Sequence, residues 1–334
     1  MNSTVSIIIP CYNEEDYIKD CLHSVLDFNY PKDKLEIFIV DGMSIDRTRE
    51  IVISEFCNNF SNIKLIDNPK RTAPYAFNIG IKNSHSDFII IIGAHAQYSK
   101  DYVKNLIEWH SKLEAYNIGG LMKTEIKNIN RKTNAIIKVL SNKFGVGNAN
   151  FRTGTKEVVE VDTVAYGCYK KECFEIFGLF NEKLTRNQDI EFNKRIINGG
   201  GKIYLVPNAY SIYYARESFN GIAKNNFQNG LWNILTVYYT KDFSSLSLRH
   251  FVPLIFVLSI LLPLIPAIFY WQYALLSLTS LTLYLILIFF VSSKMKDKHT
   301  SYYSLIYTFL ILHFSYGTGS LLGVFRLPFL ASKN

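Results

Sequence analysis

From Val5 the chain alternates two patterns of apolar and polar positions. Val5-Ser-Ile-Ile-Ile9 is an apolar run of strand length, and after it Ile18, Cys21, Leu22, Val25 and Leu26 recur at the three-and-four spacing of one helix face. Glu36 to Val40 gives a second strand, with Asp46 placed to cap a helix from Arg47 to Phe56. Ile63 to Ile66 and Phe88 to Ile92 give two more strands, with a helix from Ala76 to Lys82 between them. This alternation predicts an α/β unit, a mostly parallel sheet with helices on both faces, in which ligands collect at the carboxyl ends of the strands.

Near Phe251 the pattern changes. Three long apolar segments follow with few charges, Phe251 to Phe269, Trp271 to Ser292 and Tyr302 to Phe325, each close to the ~20 residues that a bilayer crossing requires. No amphipathic period relieves them, so they read as transmembrane helices. Lys294, Lys296 and Lys298 lie between the second and third, whereas an uncharged turn around Tyr270 and Trp271 joins the first two. The lysine loop, and with it the N-terminal part, is therefore expected on the cytoplasmic side. Arg326 and Lys333 would fall on the far side if the third segment crosses, which leaves a re-entrant segment open there. Gly319 and Gly323 form a small-xxx-small pair suited to helix packing. Between the two regions, Phe219 to Tyr238 carries an apolar helical stripe flanked by Lys224 and Lys241, which fits a helix in the membrane interface or one packed on the preceding domain.

Composition narrows the class. With 334 residues, 49% of them hydrophobic, the chain can build two domain-sized units. Its net charge of +8 suits an anionic partner: nucleic acid, a nucleotide or an acidic membrane surface. The five cysteines form no CxxC pair and sit in apolar or helical contexts, so disulfides and zinc are not expected and a reducing cytoplasm fits. Residues Met1 to Pro10 lack the basic and apolar regions of a signal peptide.

The strand ends supply Pro10-Cys-Tyr-Asn-Glu14, Asp41-Gly-Met-Ser44, Asn68-Pro-Lys-Arg71 and Gly93-Ala-His95, a polar rim of mixed charge. There is no GxGxxG after the first strand and no Walker A sequence, which argues against a dinucleotide fold or a P-loop. Gly199 to Gly201 follow a helix and read as its C-cap and turn. Lys123 to Glu160 is Asn- and Lys-rich and reads as irregular.

V-S-I-I-I-P-C-Y-N-E-E followed by I-F-I-V-D-G-M-S-I-D-R-T resembles the opening of family 2 glycosyltransferases, which have the GT-A fold. The A-H-A-x-Y run and the R-x-S segment at Arg216 to Ser218, with Gly230 beyond it, look most like the succinoglycan-type membrane enzymes of exopolysaccharide biosynthesis. On this resemblance, residues 1–216 are expected to be a cytoplasmic GT-A domain, 217–249 an amphipathic interfacial region and 250–326 a membrane region of about three helices. The implied activity is inverting transfer of a sugar from a nucleotide sugar, usually a UDP-sugar, to a lipid-linked saccharide in surface polysaccharide assembly, exopolysaccharide or capsule. A polyprenyl-phosphate sugar synthase and a catalytically degenerate membrane-anchored assembly partner are the rival readings. Nucleic acid is not an expected partner; other assembly proteins are.

The resemblance also assigns residues. Asp41 would accept a hydrogen bond from the uracil N–H, or else only form the turn before Gly42. Pro10, Tyr12, Asn13 and Glu14 would shape the nucleotide pocket, with Tyr12 offering a stacking face. Arg71 would meet the diphosphate through paired donors. In T-R-N-Q-D-I-E-F-N-K-R, Asp189 matches the general base, which takes the acceptor's proton on the face opposite the leaving diphosphate, while Gln188 replaces the usual glutamate. Asp189 would also suit a helix N-terminus. Glu191 is a weaker alternative base and Arg195 a structural ion-pair partner. Gly167, Gln188 and Arg216 would lie on the acceptor side.

Where the wider family has D-x-D this chain has Gly93-Ala94-His95, and the exopolysaccharide branch tends to show D-A-H. His95 would then ligate a divalent metal, Mn²⁺ in preference to Mg²⁺ because imidazole binds Mg²⁺ poorly. Alternatively it would donate to the diphosphate beside Arg71, with no protein-bound metal.

Overall fold

A computed structural model describes residues 3–147 and 149–331. The order begins β1 (Val5–Cys11), α1 (Ile18–Leu26), β2 (Leu35–Asp41), α2 (Thr48–Ile51, continued as a π-turn through Cys57), β3 (Ile63–Asp67), α3 (Ala73–Asn83) and β4 (Phe88–Ile91). It continues with β5 (Ala96–Tyr98), α4 (Tyr102–His110), β6 (Asn117–Glu125), α5 (Arg131–Leu140), α6 (Lys143–Val146), α7 (Asn150–Thr153), β7 (Val159–Glu160) and β8 (Cys168–Lys170). Then come α8 (Glu172–Ile176), α9 (Gln188–Asn198), β9 (Ile203–Tyr214), α10 (Phe219–Thr240), α11 (Val252–Leu261), α12 (Leu264–Ala267), α13 (Gln272–Met295) and α14 (Tyr302–Ala331). The chain divides into two compact units, the first of residues 1–124 and 149–214, the second of 125–148 and 215–334.

In the first unit the strands form one sheet in the order β3-β2-β1-β4-β8-β6-β9-β5, with β7 against β9. β3, β2, β1 and β4 are parallel, as the strand–helix alternation predicts. From β4 outward the sheet becomes mixed, since β8 pairs antiparallel with β4 and β6, and β5 and β7 with β9. β5, β7 and β8 are only two or three residues long, β6 and β9 are nine and twelve, and nothing in their periodicity announces direction.

The unbroken apolar character of β1 follows from coverage on both faces. Val5, Ile7 and Ile9 face a core shared with Ile18, Leu22 and Val25 of α1 and Val103 and Leu106 of α4. Ile8 faces the opposite core, with Ala76 and Phe77 of α3 and Phe192 and Ile196 of α9. Phe192 anchors that second core, stacked parallel on Phe174 at 5.2 Å and tilted on Phe180 at 4.6 Å. Each such fully buried side chain contributes roughly 1.5–3 kcal/mol, so α9 is fixed firmly enough to position whatever its first turn carries.

The second unit contains three helices long and apolar enough to cross a membrane: Leu248–Ala267, Gln272–Met295 and Tyr302–Leu330. α10 runs beside α14, where a side chain at Gly230 would strike the Tyr316 carbonyl and one at Gly319 the Phe227 carbonyl. Only glycine allows that approach of two backbones. The stretch expected to be irregular, Lys123 to Glu160, contains three helices. α5 opens on a capping box, with the Asn130 side chain accepting from the Lys132 and Thr133 N–H groups at 3.0 Å each. Its Ala135 and Val139 pack on Leu305, Ile306 and Phe309 of α14 and Ile288 of α13.

Candidate active site

The turns after β1 and β2 are laced together. The Asn13 N–H donates to Ser44 Oγ (2.9 Å), and the Asn13 side-chain oxygen accepts from the Ile45 N–H (2.9 Å). The Glu14 N–H donates to Thr48 Oγ1 (2.7 Å), and the Glu15 carboxylate accepts from the Arg47 N–H (3.0 Å). Asp46 accepts from the Thr48 N–H at 3.0 Å, but it stands one residue before the N-cap, which is Arg47 and not Asp46 as expected. Asn13 thus staples the two turns together, its side chain already engaged. Pro10 closes β1 in register with Val40.

Asp41 is fully buried at the end of β2. One carboxylate oxygen accepts from Ser44 Oγ (2.5 Å), and the other from the Ser44 N–H (3.0 Å) and Arg49 Nη1 (2.6 Å). The same Arg49 nitrogen lies 2.8 Å from Asp67, the register partner of Asp41 on β3. Arg49 therefore bridges two carboxylates at adjacent strand ends, and the sequence reading missed it because its position depends on strand register. Next to this bridge Asn68 Oδ1 and Thr72 Oγ1 are shielded from solvent with no hydrogen-bond partner among the described residues. Tyr12 is 41% exposed, and the Arg71 guanidinium lies over its ring, 5.8 Å from the centroid.

Beyond β4, His95 Nδ1 lies 2.7 Å from Glu14 Oε2, and Tyr17 meets the imidazole edge-on at 4.7 Å. Both facing atoms are shielded, yet no aligned hydrogen bond joins them. Tyr166 covers Gly93: a Cβ at that position would come within 3.0 Å of the Tyr166 ring and 3.1 Å of its hydroxyl. Tyr98 holds the same residue, accepting from the Gly93 N–H (2.9 Å) and donating to its carbonyl (3.1 Å).

At the start of α9, Asp189 accepts from the Ile190 N–H at 2.9 Å, and burial pushes its carboxyl above the ordinary aspartate range. Gln188 Oε1 is shielded and has no partner among the described residues. Glu191, by contrast, is saturated: Arg195 grips it with two 2.8 Å bonds and donates also to the Phe177 (2.6 Å) and Leu179 (3.0 Å) carbonyls. That leaves Asp189 as the carboxylate of this helix with capacity to take a proton. Gly167 is buried, and the space a side chain there would need holds the Asn117 amide. Arg216 belongs to the second unit, just before the Ser218 cap of α10.

Backbone strain concentrates in the same loops. Asn13, Met43, Arg71, Tyr166 and Asn187 all have φ between 52° and 60°, and among the described residues Lys241 is the other non-glycine residue with positive φ. Such conformations cost about 1–3 kcal/mol each and persist where surrounding structure imposes them. Three follow β1, β2 and β3, one precedes β8 and one precedes α9.

No cluster of three or more His, Cys, Asp or Glu side chains suited to a metal occurs among the described residues. Residues 6–168 match the model of Glycosyl transferase family 2. A Methanococcus voltae protein, dolichyl N-acetyl-alpha-D-glucosaminyl phosphate 3-beta-D-2,3-diacetamido-2,3-dideoxy-beta-D-glucuronosyltransferase, is 38% identical over 233 residues, 68% of this chain and 71% of the relative. Succinoglycan biosynthesis protein ExoA of Rhizobium meliloti is 28% identical over 219 residues, 65% of each chain. The solved structure of mannosyltransferase PcManGT from Pyrobaculum calidifontis, in complex with GDP-Man and Mn²⁺, superposes with a TM-score of 0.61 at 14% identity over 98% of this chain and 88% of that one. At that identity the likeness shows the shared GT-A-like fold. With the extent of the Methanococcus voltae match and the family motifs at the strand ends, the chain belongs to glycosyltransferase family 2.

Proposed function

We propose that the chain is a membrane-anchored inverting enzyme that moves a sugar from a nucleotide donor, a UDP-sugar, to a lipid-linked saccharide in surface polysaccharide biosynthesis. The observation that carries this reading is Asp189, a desolvated carboxylate with no cationic partner among the described residues, at the start of α9 next to the unpartnered Gln188 oxygen. Asp189 takes the proton of the acceptor hydroxyl as that oxygen attacks the anomeric carbon, the bond to the diphosphate breaks on the opposite face, and the nucleoside diphosphate leaves with the bonding pair. The Gln188 oxygen accepts from a neighbouring acceptor hydroxyl. Tyr12, Arg71 and the Asp41 turn hold the nucleotide, Asp41 acting chiefly by fixing Ser44 and Arg49. The name of the Methanococcus voltae relative supports a lipid-linked acceptor, and that of the Rhizobium meliloti relative supports a place in polysaccharide biosynthesis.

Glu14 and His95 fit a divalent ion shared with the donor diphosphate, because a carboxylate and an imidazole face each other at 2.7 Å with no aligned hydrogen bond between them. When bound, the ion would neutralise diphosphate charge, and the imidazole favours Mn²⁺ over Mg²⁺. Chain connectivity supports a cytoplasmic site. Residues 125–148 leave the first unit, bond to the turn between α13 and α14 through Lys138 and Asp297 (2.6 Å) and through Asn134 and the His299 carbonyl (2.9 Å), and return. Two crossings would need ~40 apolar residues, which supports an exit and return of the chain on one side, and Lys294, Lys296 and Lys298 support that side being cytoplasmic.

The test is a membrane assay with a panel of UDP- and GDP-sugars and extracted lipid acceptors, comparing wild type with Asp189→Asn. Transfer to a lipid-linked saccharide, lost in the variant, supports the reading. Absence of transfer and of donor binding under every condition sinks it, and product found only as a monosaccharide on polyprenyl phosphate replaces it with the synthase.

A further inference from the structure

Three half-buried arginines of the first unit invite comparison. Arg49 bridges two carboxylates, and Arg195 makes four hydrogen bonds. Arg152, on α7, makes no side-chain hydrogen bond or ion pair to any described residue. Its guanidinium lies over two rings instead, 5.5 Å from the centroid of Tyr213 and 5.7 Å from that of Phe151. Burial pushes its pKa down, with Tyr213 and Tyr166 as its electrostatic neighbours. A guanidinium carries five donors in a planar fork, and none of those of Arg152 meets an acceptor among the described residues, which leaves the fork available to a ligand.

Its surroundings lead to the opening of the site. Tyr213 of β9 is the register partner of Ala96, the residue after His95. Tyr166 is the residue that covers Gly93. Where the family resemblance expects an acidic side chain to help hold a cation, this chain has removed the side chain at 93, filled its space with a phenol and placed a cationic fork behind it. The charge at this edge is reversed, and the ligand it suits is anionic.

We propose that Arg152 is a binding residue for a phosphate oxyanion at the Gly93 edge of the site, gripping it through paired N–H donors while Tyr213 and Tyr166 hold the guanidinium in place. The oxyanion is that of the donor diphosphate or that of the phosphate on a polyprenyl-linked acceptor. This rests on the reading of the strand-end site as a nucleotide-sugar site, and it is independent of an ion at Glu14 and His95.

The test uses the full chain in detergent and isothermal titration of three probes, UDP, uridine and decaprenyl phosphate, each with Mn²⁺ and with EDTA. In Arg152→Met, affinity for UDP or for decaprenyl phosphate should fall roughly tenfold or more, in EDTA as well as in Mn²⁺, while uridine binding stays unchanged. Loss confined to UDP assigns the donor diphosphate, and loss confined to the lipid assigns the acceptor. Arg152→Lys keeps charge without the fork and should lose an intermediate amount, which covers the case of a poorly folded methionine variant. UDP and decaprenyl phosphate affinities within twofold of wild type in either folded variant overturn the proposal. A wild type that binds neither UDP nor uridine overturns the nucleotide-sugar reading, and the decaprenyl phosphate arm then still decides Arg152.

Discussion

The phenol of Tyr166 stands where a side chain at position 93 would project, 3.0 Å from the Cβ that glycine lacks. Gly93→Asp alone should therefore lower stability, by about 1–3 kcal/mol, and should not raise Mn²⁺ affinity, because overpacking forces Tyr166 aside. Gly93→Asp with Tyr166→Ala should bind Mn²⁺ more tightly than wild type. Thermal unfolding and Mn²⁺ titration by electron paramagnetic resonance check both; equal stability in the single variant would contradict the packing account.

Asp189 is the group expected to set the acid limb of the activity profile. Burial raises its carboxyl, so the proton is held to higher pH than the ordinary aspartate value of 3.8, and kcat/KM should rise with pH as that proton is lost. Asp189→Asn should reduce kcat by roughly 10²–10⁴-fold, leaving nucleotide binding intact. A limb at the same pH in the residual activity of the variant would show that another group sets it.

For Asp41, whose carboxylate is saturated within the protein, substitution should cost stability as well as activity. Asp41→Asn leaves Arg49 with Asp67 alone and is expected to destabilise by about 1–3 kcal/mol. Calorimetry in detergent with and without uridine separates the two effects: a variant that unfolds like wild type yet loses uridine binding would assign Asp41 directly to the base.

The ion proposed at Glu14 and His95 is open to a simple comparison. His95→Ala and Glu14→Gln should each weaken Mn²⁺ binding about 10-fold or more, as loss of one of two protein donors. If both variants keep full activity and an unchanged response to Mn²⁺, neither residue serves the diphosphate.

His110 gives the fold its own pH dependence. Burial lowers its pKa from 6.5 to about 4, with one ring nitrogen 2.8 Å from the Cys168 carbonyl. The folded state keeps His110 neutral, so its contribution is fully present above pH 6.5 and is lost as pH falls toward 4. At ~1.4 kcal/mol per unit the effect approaches roughly 3 kcal/mol. Denaturant unfolding at pH 7 and pH 4.5 should differ less in His110→Gln than in wild type.

The parts of this protein readable in its sequence are those where one physical effect dominates. Val5 to Ile9 and the α1 face declare themselves through burial, the three apolar spans through length and unbroken apolar composition, and the strand-end turns through their polar residues. The direction of β5 to β9 was not readable, since short antiparallel strands such as Ala96–Tyr98 take their partners from tertiary packing. The Arg49 bridge was hidden because Asp41 and Asp67 become neighbours only through strand register. α5 did carry a signal, Asn130-x-x-Thr133 before Ala135 and Val139, but its polar composition masked it. Arg152 and Tyr166 gave none, because their meaning lies in what surrounds them.

The helix α5 also imposes an order of events on biosynthesis. Its apolar face is complete when Leu140 leaves the ribosome, but the surface that covers it, on α13 and α14, is translated much later; Asn134 bonds to the His299 carbonyl 165 residues downstream. Until then Ala135 and Val139 lack the surfaces of α13 and α14 that cover them in the complete chain. The second unit can close only after the last helix is made, so a chain cut short before Tyr302 keeps that apolar face without its α14 cover.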